Sequence, residues 1–178
     1  MKPASLIAGL LAVALYLLCF QLKHAKKILA CKFFSNILYV LQYLLLGAFV
    51  GAALDTAAVI TTALGYGKDK PFIVKYKIPI LIVIHASILV IGILLYQNLF
   101  SLLAIAGALL ESVANWMKKE RAIRIFSLLA VPCWLIYNTA CGAYGSVLGN
   151  ILAAVSIISA LARYAKRETN LSAQDTSE

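Results

Sequence analysis

Apolar residues run along this chain in long stretches separated by short polar connections. Seven stretches stand out, at about 4–22, 28–47, 49–66, 78–97, 99–117, 122–141 and 144–164. Each is close to the ~20 residues an α-helix needs to cross the ~30 Å apolar core of a bilayer. The pattern therefore predicts seven transmembrane helices. Lys2 ahead of the first stretch suggests a signal peptide. That stretch is too long, however, and no small-residue cleavage site follows it. Lys23, His24, Lys26 and Lys27 come next instead, as beyond a retained helix. Residues 165–178 are polar, mixed in charge and without apolar periodicity, and read as a disordered tail.

Composition and charge sharpen this picture. Of 178 residues, 63% are hydrophobic, and the mean hydropathy is +0.92, far from what a soluble domain of this size needs on its surface. The net charge of +9 would suit nucleic acid, but the basic residues recur at intervals in the connections, which argues against such a partner. Lys23, Lys26, Lys27 and nearby Lys32 follow the first stretch. Lys68, Lys70, Lys75 and Lys77 follow the third, and Lys118, Lys119, Arg121 and Arg124 the fifth. Arg163, Lys166 and Arg167 end the seventh. The connections at Gly47, Gln97–Asn98 and Gly142–Gly145 are uncharged. All the Lys and Arg but Lys2 thus fall on one side, which the positive-inside rule makes cytoplasmic. The N-terminus is then outside and the C-terminus inside. Segment 68–77, with Pro71, Phe72 and Tyr76 among its lysines, reads as an anchor on anionic lipid, or alternatively as a gating loop. Cys19, Cys31, Cys133 and Cys141 lack zinc-ligand spacing and suit packing.

A repeat organises the rest. Tyr39 lies eight residues before Gly47 and Asp55 eight after; Trp134 and Asn150 flank Gly142 at the same spacings. If each Gly marks a tight turn between helices, eight residues is about 12 Å of helix. Tyr39, Asp55, Trp134 and Asn150 would then share one layer near the membrane centre. An offset of 95 also matches Ala48 with Ala143, Phe49 with Tyr144, Gly51 with Ser146, Thr61 with Ser156, Lys23 with Lys118 and Lys26 with Arg121. The expected fold is an all-α membrane protein of two parallel three-helix repeats joined by a linker helix. The divisions are 1–67, 68–97 for the basic loop and linker, 98–164, and the tail 165–178. Parallel repeats place a site between them.

Trp134-Leu-Ile-Tyr137, Gly142-Ala-Tyr-Gly-Ser146 and Asn150 resemble the SWEET, SemiSWEET and PQ-loop (MtN3-like) transporters, in which a Trp on one helix and an Asn on the next flank the substrate. From the first helix to Arg167 the chain looks most like the YgjV-type bacterial inner membrane proteins, taken as distant relatives of those transporters. The resemblance implies a multi-pass protein of the bacterial inner membrane. Two features depart from the transporter pattern. The first helix of each triplet has no midhelix proline, the only such proline in either triplet being Pro132 in the sixth stretch. The Trp/Asn pair is replaced by Tyr39/Asp55 in the first half.

Polar residues inside the spans complete the expectation. A charged carboxylate at mid-depth costs at least about 2.5 kcal/mol on insertion scales, so Asp55 and Glu111 should face the protein interior or a water-filled cavity, or become neutral, with a protonated or paired carboxyl that fixes helix contacts as the structural alternative. Asp55 is a candidate for hydrogen-bonding a solute and for coupling a proton. Glu111 is a second proton-coupling candidate, although Asn115 at i+4 could simply bond it. Asn138, Asn36 and Gln42 suit interhelical bonds, and His85 suits a bond to a neighbouring helix. No enzyme signature, cofactor motif or metal cluster is present in the sequence. The function these features predict is transport of a small polar or sugar-like solute, with Tyr39, Asp55, Trp134 and Asn150 as the substrate site. The rival is a membrane interaction protein that keeps the carrier fold without carrying. Lipid and solute are the expected partners, and small-residue stripes such as Gly47/Gly51 and Gly145/Gly149 leave a homo-oligomer open.

Overall fold

The computed structural model describes residues 3–175, with side chains to Tyr164. The described chain is helical throughout: α1 (Pro3–Gln21), α2 (Ala25–Leu46), α3 (Phe49–Tyr66), α4 (Pro71–Lys75), α5 (Lys77–Leu94), α6 (Leu99–Trp116), α7 (Glu120–Ala140) and α8 (Tyr144–Asp175). Seven of these are long and apolar enough to cross a membrane, and their ends fall within three residues of the expected ones. The exception is α8. Its span ends near Tyr164, but the helix continues to Asp175, so the expected disordered tail is helical to that point. Ala, Arg, Lys, Glu and Gln in this stretch are good helix formers and need no apolar face to extend a helix already nucleated. The remainder of the expected tail, 176–178, lies outside the described residues.

The uncharged turns are built alike. Gly47 and Gly142 are the described residues with left-handed backbone, at φ 75° and 68°. At the first, Gly47 N donates to Leu44 O and Ala48 N to Tyr43 O; at the second, Gly142 N donates to Thr139 O and Ala143 N to Asn138 O. This is the Schellman closure, in which a residue without a Cβ turns the chain and satisfies the last carbonyls. The turn before α6 is closed differently, by reciprocal capping between Asn98 and Ser101. The basic connection adds the short α4, with Pro71 at its start. Phe72, Val74 and Tyr76 there are exposed while Ile73 is buried.

Packing places the helices in a ring. α1 lies against α2 and α8, α2 against α3, α3 against α6, α6 against α7, and α7 against α8. Exchanging α1–α3 with α6–α8 maps this pattern of neighbours onto itself. α5 stands outside the ring, on the seam between α3 and α6. Only 17% of its span is buried, against 39–50% for the others, and Ile78, Ile82, Val83, Leu89, Val90, Ile93 and Leu94 are exposed on it. Bare β-branched and leucine side chains around a helix are the surface that lipid covers.

Candidate functional site

Polar residues in apolar helices must find partners inside the bundle. Along α2 they recur at helical spacing, as Lys32, Ser35, Asn36, Tyr39, Gln42 and Tyr43, and all six are buried. The polar stripe therefore faces inward, the reverse of a soluble amphipathic helix. Similar inward groups come from α1 (Tyr16), α3 (Asp55), α6 (Glu111, Asn115), α7 (Trp134, Asn138) and α8 (Asn150). Together with Asn36, Tyr39, Tyr43, Ala58 and Ala108 they line one cavity.

Tyr39, Asp55, Trp134 and Asn150, drawn from four different helices, thus border the same space. About 50 Å³ of it is open to water-sized occupants. That is room for a few waters and well short of the 300–1,000 Å³ of a typical ligand site. Gly107 makes space for the indole of Trp134, since a Cβ there would lie 2.9 Å from Trp134 Nε1. The ring of Tyr39 packs between those of Tyr16 and Tyr43, at centroid distances of 6.3 and 6.5 Å. Tyr137 packs against Trp134 and Tyr43.

Polar groups on residues lining this cavity that have no protein partner among the described residues include the Asp55 carboxyl, the Tyr39 hydroxyl, Asn150 Nδ2 and Asn115 Oδ1. Their residues are only 7%, 9%, 8% and 0% exposed, respectively. Buried groups of this kind normally have a hydrogen-bond partner.

On either side of the cavity, by contrast, polar groups are paired across the ring. Toward the glycine turns, Tyr43 donates to Asn138 Oδ1 at 2.6 Å, Gly51 N donates to the Tyr137 hydroxyl at 2.9 Å, and Ser146 donates to Gln42 Oε1 at 2.8 Å. Toward the basic loops, Glu111 accepts from Tyr16 at 2.7 Å, from Ser127 at 3.2 Å and from the Lys32 ammonium, which also reaches Ser127 at 3.1 Å. An apolar layer of Cys19, Phe20, Ile28, Ile123, Val131 and Ile157 lies around this end. Arg124 is buried beside it, donating to the carbonyls of Phe20 and Leu22 and stacking on Tyr164. Lys68, outside the spans, donates to the carbonyls of Asn115 and Met117 at the end of α6. Partial burial holds its ammonium below the usual lysine range.

Several expectations change here. Lys32 and Arg124 group with the loop charges in the sequence, but Lys32 is 1% exposed and ion-paired with Glu111, and Arg124 is 3% exposed. Glu111 bonds Lys32 rather than Asn115, whose amide donates to Thr61 and Thr62 at 3.2 and 3.0 Å. Asn36 and Asn138 make the expected interhelical bonds yet also line the cavity. His85 bonds Leu81 O of its own helix at 2.8 Å, not a neighbouring one. The inward stripe of α2 was the available signal for Lys32. Tyr16 and Glu111 are 95 apart, as are Lys32 and Ser127, and Tyr43 and Asn138. Those pairings could have been proposed by asking which repeat-equivalent residues complement one another. Among the described residues no group of three or more His, Cys, Asp or Glu could hold a metal ion.

Comparison with known proteins agrees with this architecture. No curated protein and no solved structure matches the chain. A family described as bacterial inner membrane proteins, Imp-YgjV, matches residues 4–168, and seven apolar helices are what a multi-pass protein requires. The chain belongs to the Imp-YgjV family and is an integral protein of the bacterial inner membrane.

Proposed function

We propose that the chain is a carrier for a small polar solute, bound at mid-membrane between two three-helix halves. The observation that carries this reading is the convergence of unpartnered hydrogen-bonding groups, on Tyr39, Asp55, Asn150 and Asn115, upon one cavity inside a ring of apolar helices. Lys32, Glu111 and Ser127, by contrast, satisfy one another beside the cavity. A binding site leaves valences open for its ligand. The repeat supports the same reading. A residue can touch its own counterpart only beside a two-fold axis, and three bonds join residues 95 apart. The pairs Gly51–Tyr137 and Ser146–Gln42 are likewise exchanged by that offset. An axis through these contacts runs beside the cavity, where carriers built from parallel repeats hold their substrates.

In this reading the ring of Trp134 and that of Tyr39 flank the solute, Asn150 and Asp55 bond it, and Asp55 can also carry a coupled proton. The buried pair of Glu111 with Lys32 makes Glu111 the secondary proton-coupling candidate. The basic loops, with α4 as a lipid anchor, face the cytoplasm. The small cavity belongs to a conformation in which the helices must part to admit anything larger than a few waters. The test is uptake or counterflow into proteoliposomes with a panel of sugars and small polar metabolites. The site assignment predicts strong loss of transport in both Asn150→Ala and Asp55→Asn, and unchanged transport in both would remove it. The rival reading, an interaction protein on a carrier fold, is favoured by the lack of a midhelix proline in α1 and α6. It predicts no flux for any solute and stable capture of another membrane protein after mild extraction.

A further inference from the structure

We infer that the solute is a small organic cation bearing an oxygen, with its ammonium group at Asp55 and its oxygen at Asn150 Nδ2. This rests on the carrier reading and narrows it. The argument begins with charge. The ionisable side chains at or beside the cavity are Asp55, Glu111 and Lys32, with the phenols of Tyr16, Tyr39 and Tyr43. Lys32 and Glu111 neutralise one another. Arg124 does not line the cavity: its Nη2 donates to the carbonyls of Phe20 and Leu22 and its guanidinium stacks on Tyr164. Asp55 is therefore left without a counter-charge among the described residues, although it is 93% buried by its 7% exposure. Buried charges in proteins are paired or neutralised. A neutral sugar would leave the carboxylate uncompensated, whereas a monovalent cation balances it.

The walls suit the same ligand. Tyr16, Tyr39, Tyr43 and Trp134 all border the cavity, and aromatic rings attract ammonium groups through their negative faces. A proton would neutralise Asp55 without using the rings, the open volume or the free donor of Asn150. That amide N–H cannot bond a positive head and calls for an acceptor oxygen. The ligand therefore needs a positive end and an oxygen end.

The experiment compares choline with 3,3-dimethylbutan-1-ol, which has the same shape and hydroxyl but no charge. Methylammonium serves as a smaller cation and glucose as a neutral polar solute. Each is titrated against thermal unfolding of the purified full chain in lipid nanodiscs, where binding to the folded state raises the midpoint. A cation should protect the wild type, with the neutral alcohol and glucose at least tenfold weaker. Asp55→Asn, which keeps the shape of the side chain, should weaken cation protection at least tenfold. The wild-type comparison stands even if that variant does not fold. Protection by glucose or the alcohol equal to that by both cations would overturn the inference and leave the carrier reading intact. No protection by any probe, together with no flux of any solute in proteoliposomes, would overturn both.

Discussion

The buried ion pair between Lys32 and Glu111 permits the most direct test of how the ring is held together. Lys32 is 1% exposed and its side chain reaches across from α2 to Glu111 on α6 and Ser127 on α7. Glu111→Gln keeps the shape and an acceptor oxygen but removes the counter-charge, leaving the ammonium buried with neutral partners only, the new amide oxygen and the Ser127 hydroxyl. Removing one member of a buried pair costs about 3–5 kcal/mol, because the survivor is an uncompensated charge. A Coulomb check agrees: opposite charges about 4 Å apart at an effective dielectric constant of about 20 attract by about 4 kcal/mol. Lys32→Met should cost a similar amount, softened by the donors Tyr16 and Ser127 that still serve Glu111. Removing both charges together leaves nothing unpaired, so the double variant should be at least about 2 kcal/mol more stable than the sum of the single effects implies. Equilibrium unfolding in mixed detergent and SDS micelles measures all three. A cost under about 1 kcal/mol for Glu111→Gln, or strict additivity, would refute the claim that this pair is buried and charged.

Three further outcomes follow from the packing. A Cβ at Gly149 would lie 2.3 Å from Val13 Cγ2, so Gly149→Ala should cost about 1–3 kcal/mol by overpacking the α1–α8 seam; adding Val13→Ala should recover most of it in the same unfolding assay. Tyr43→Phe strips Asn138 Oδ1 of its donor and should cost about 1–3 kcal/mol, the penalty for an unpaired buried acceptor, with the far-ultraviolet helix signal unchanged. A C-terminal fluorescent-protein fusion should fluoresce while an alkaline phosphatase fusion stays inactive, as an inside C-terminus requires; the opposite result would reverse the orientation read from the basic loops.

Local properties of the chain were enough for much of the architecture. Span length, the two positive-φ glycines and the sites of the turns follow from how much apolar surface a bilayer demands and from which residue tolerates a left-handed backbone. The offset of 95 is likewise visible in residue classes, and it alone singles out Tyr39, Asp55, Trp134 and Asn150, all of which line the cavity. What escaped was partnership. Lys32 looks like a loop charge because it stands two turns from the basic connection, and only the turn of α2 about its axis points it inward. Its partner lies 79 residues away, and no local rule links the two.

The linear pattern thus determined that this chain crosses the membrane seven times, where it turns, and which polar residues would be too costly to leave in lipid. Tertiary structure alone decided which of those polar residues satisfy one another and which stay open. Desolvation cost belongs to a single side chain and can be read from its place in a span. Satisfaction belongs to pairs brought together by the closing of the ring, and so Glu111 ends with three donors while Asp55, likewise a carboxyl within a span, ends with none.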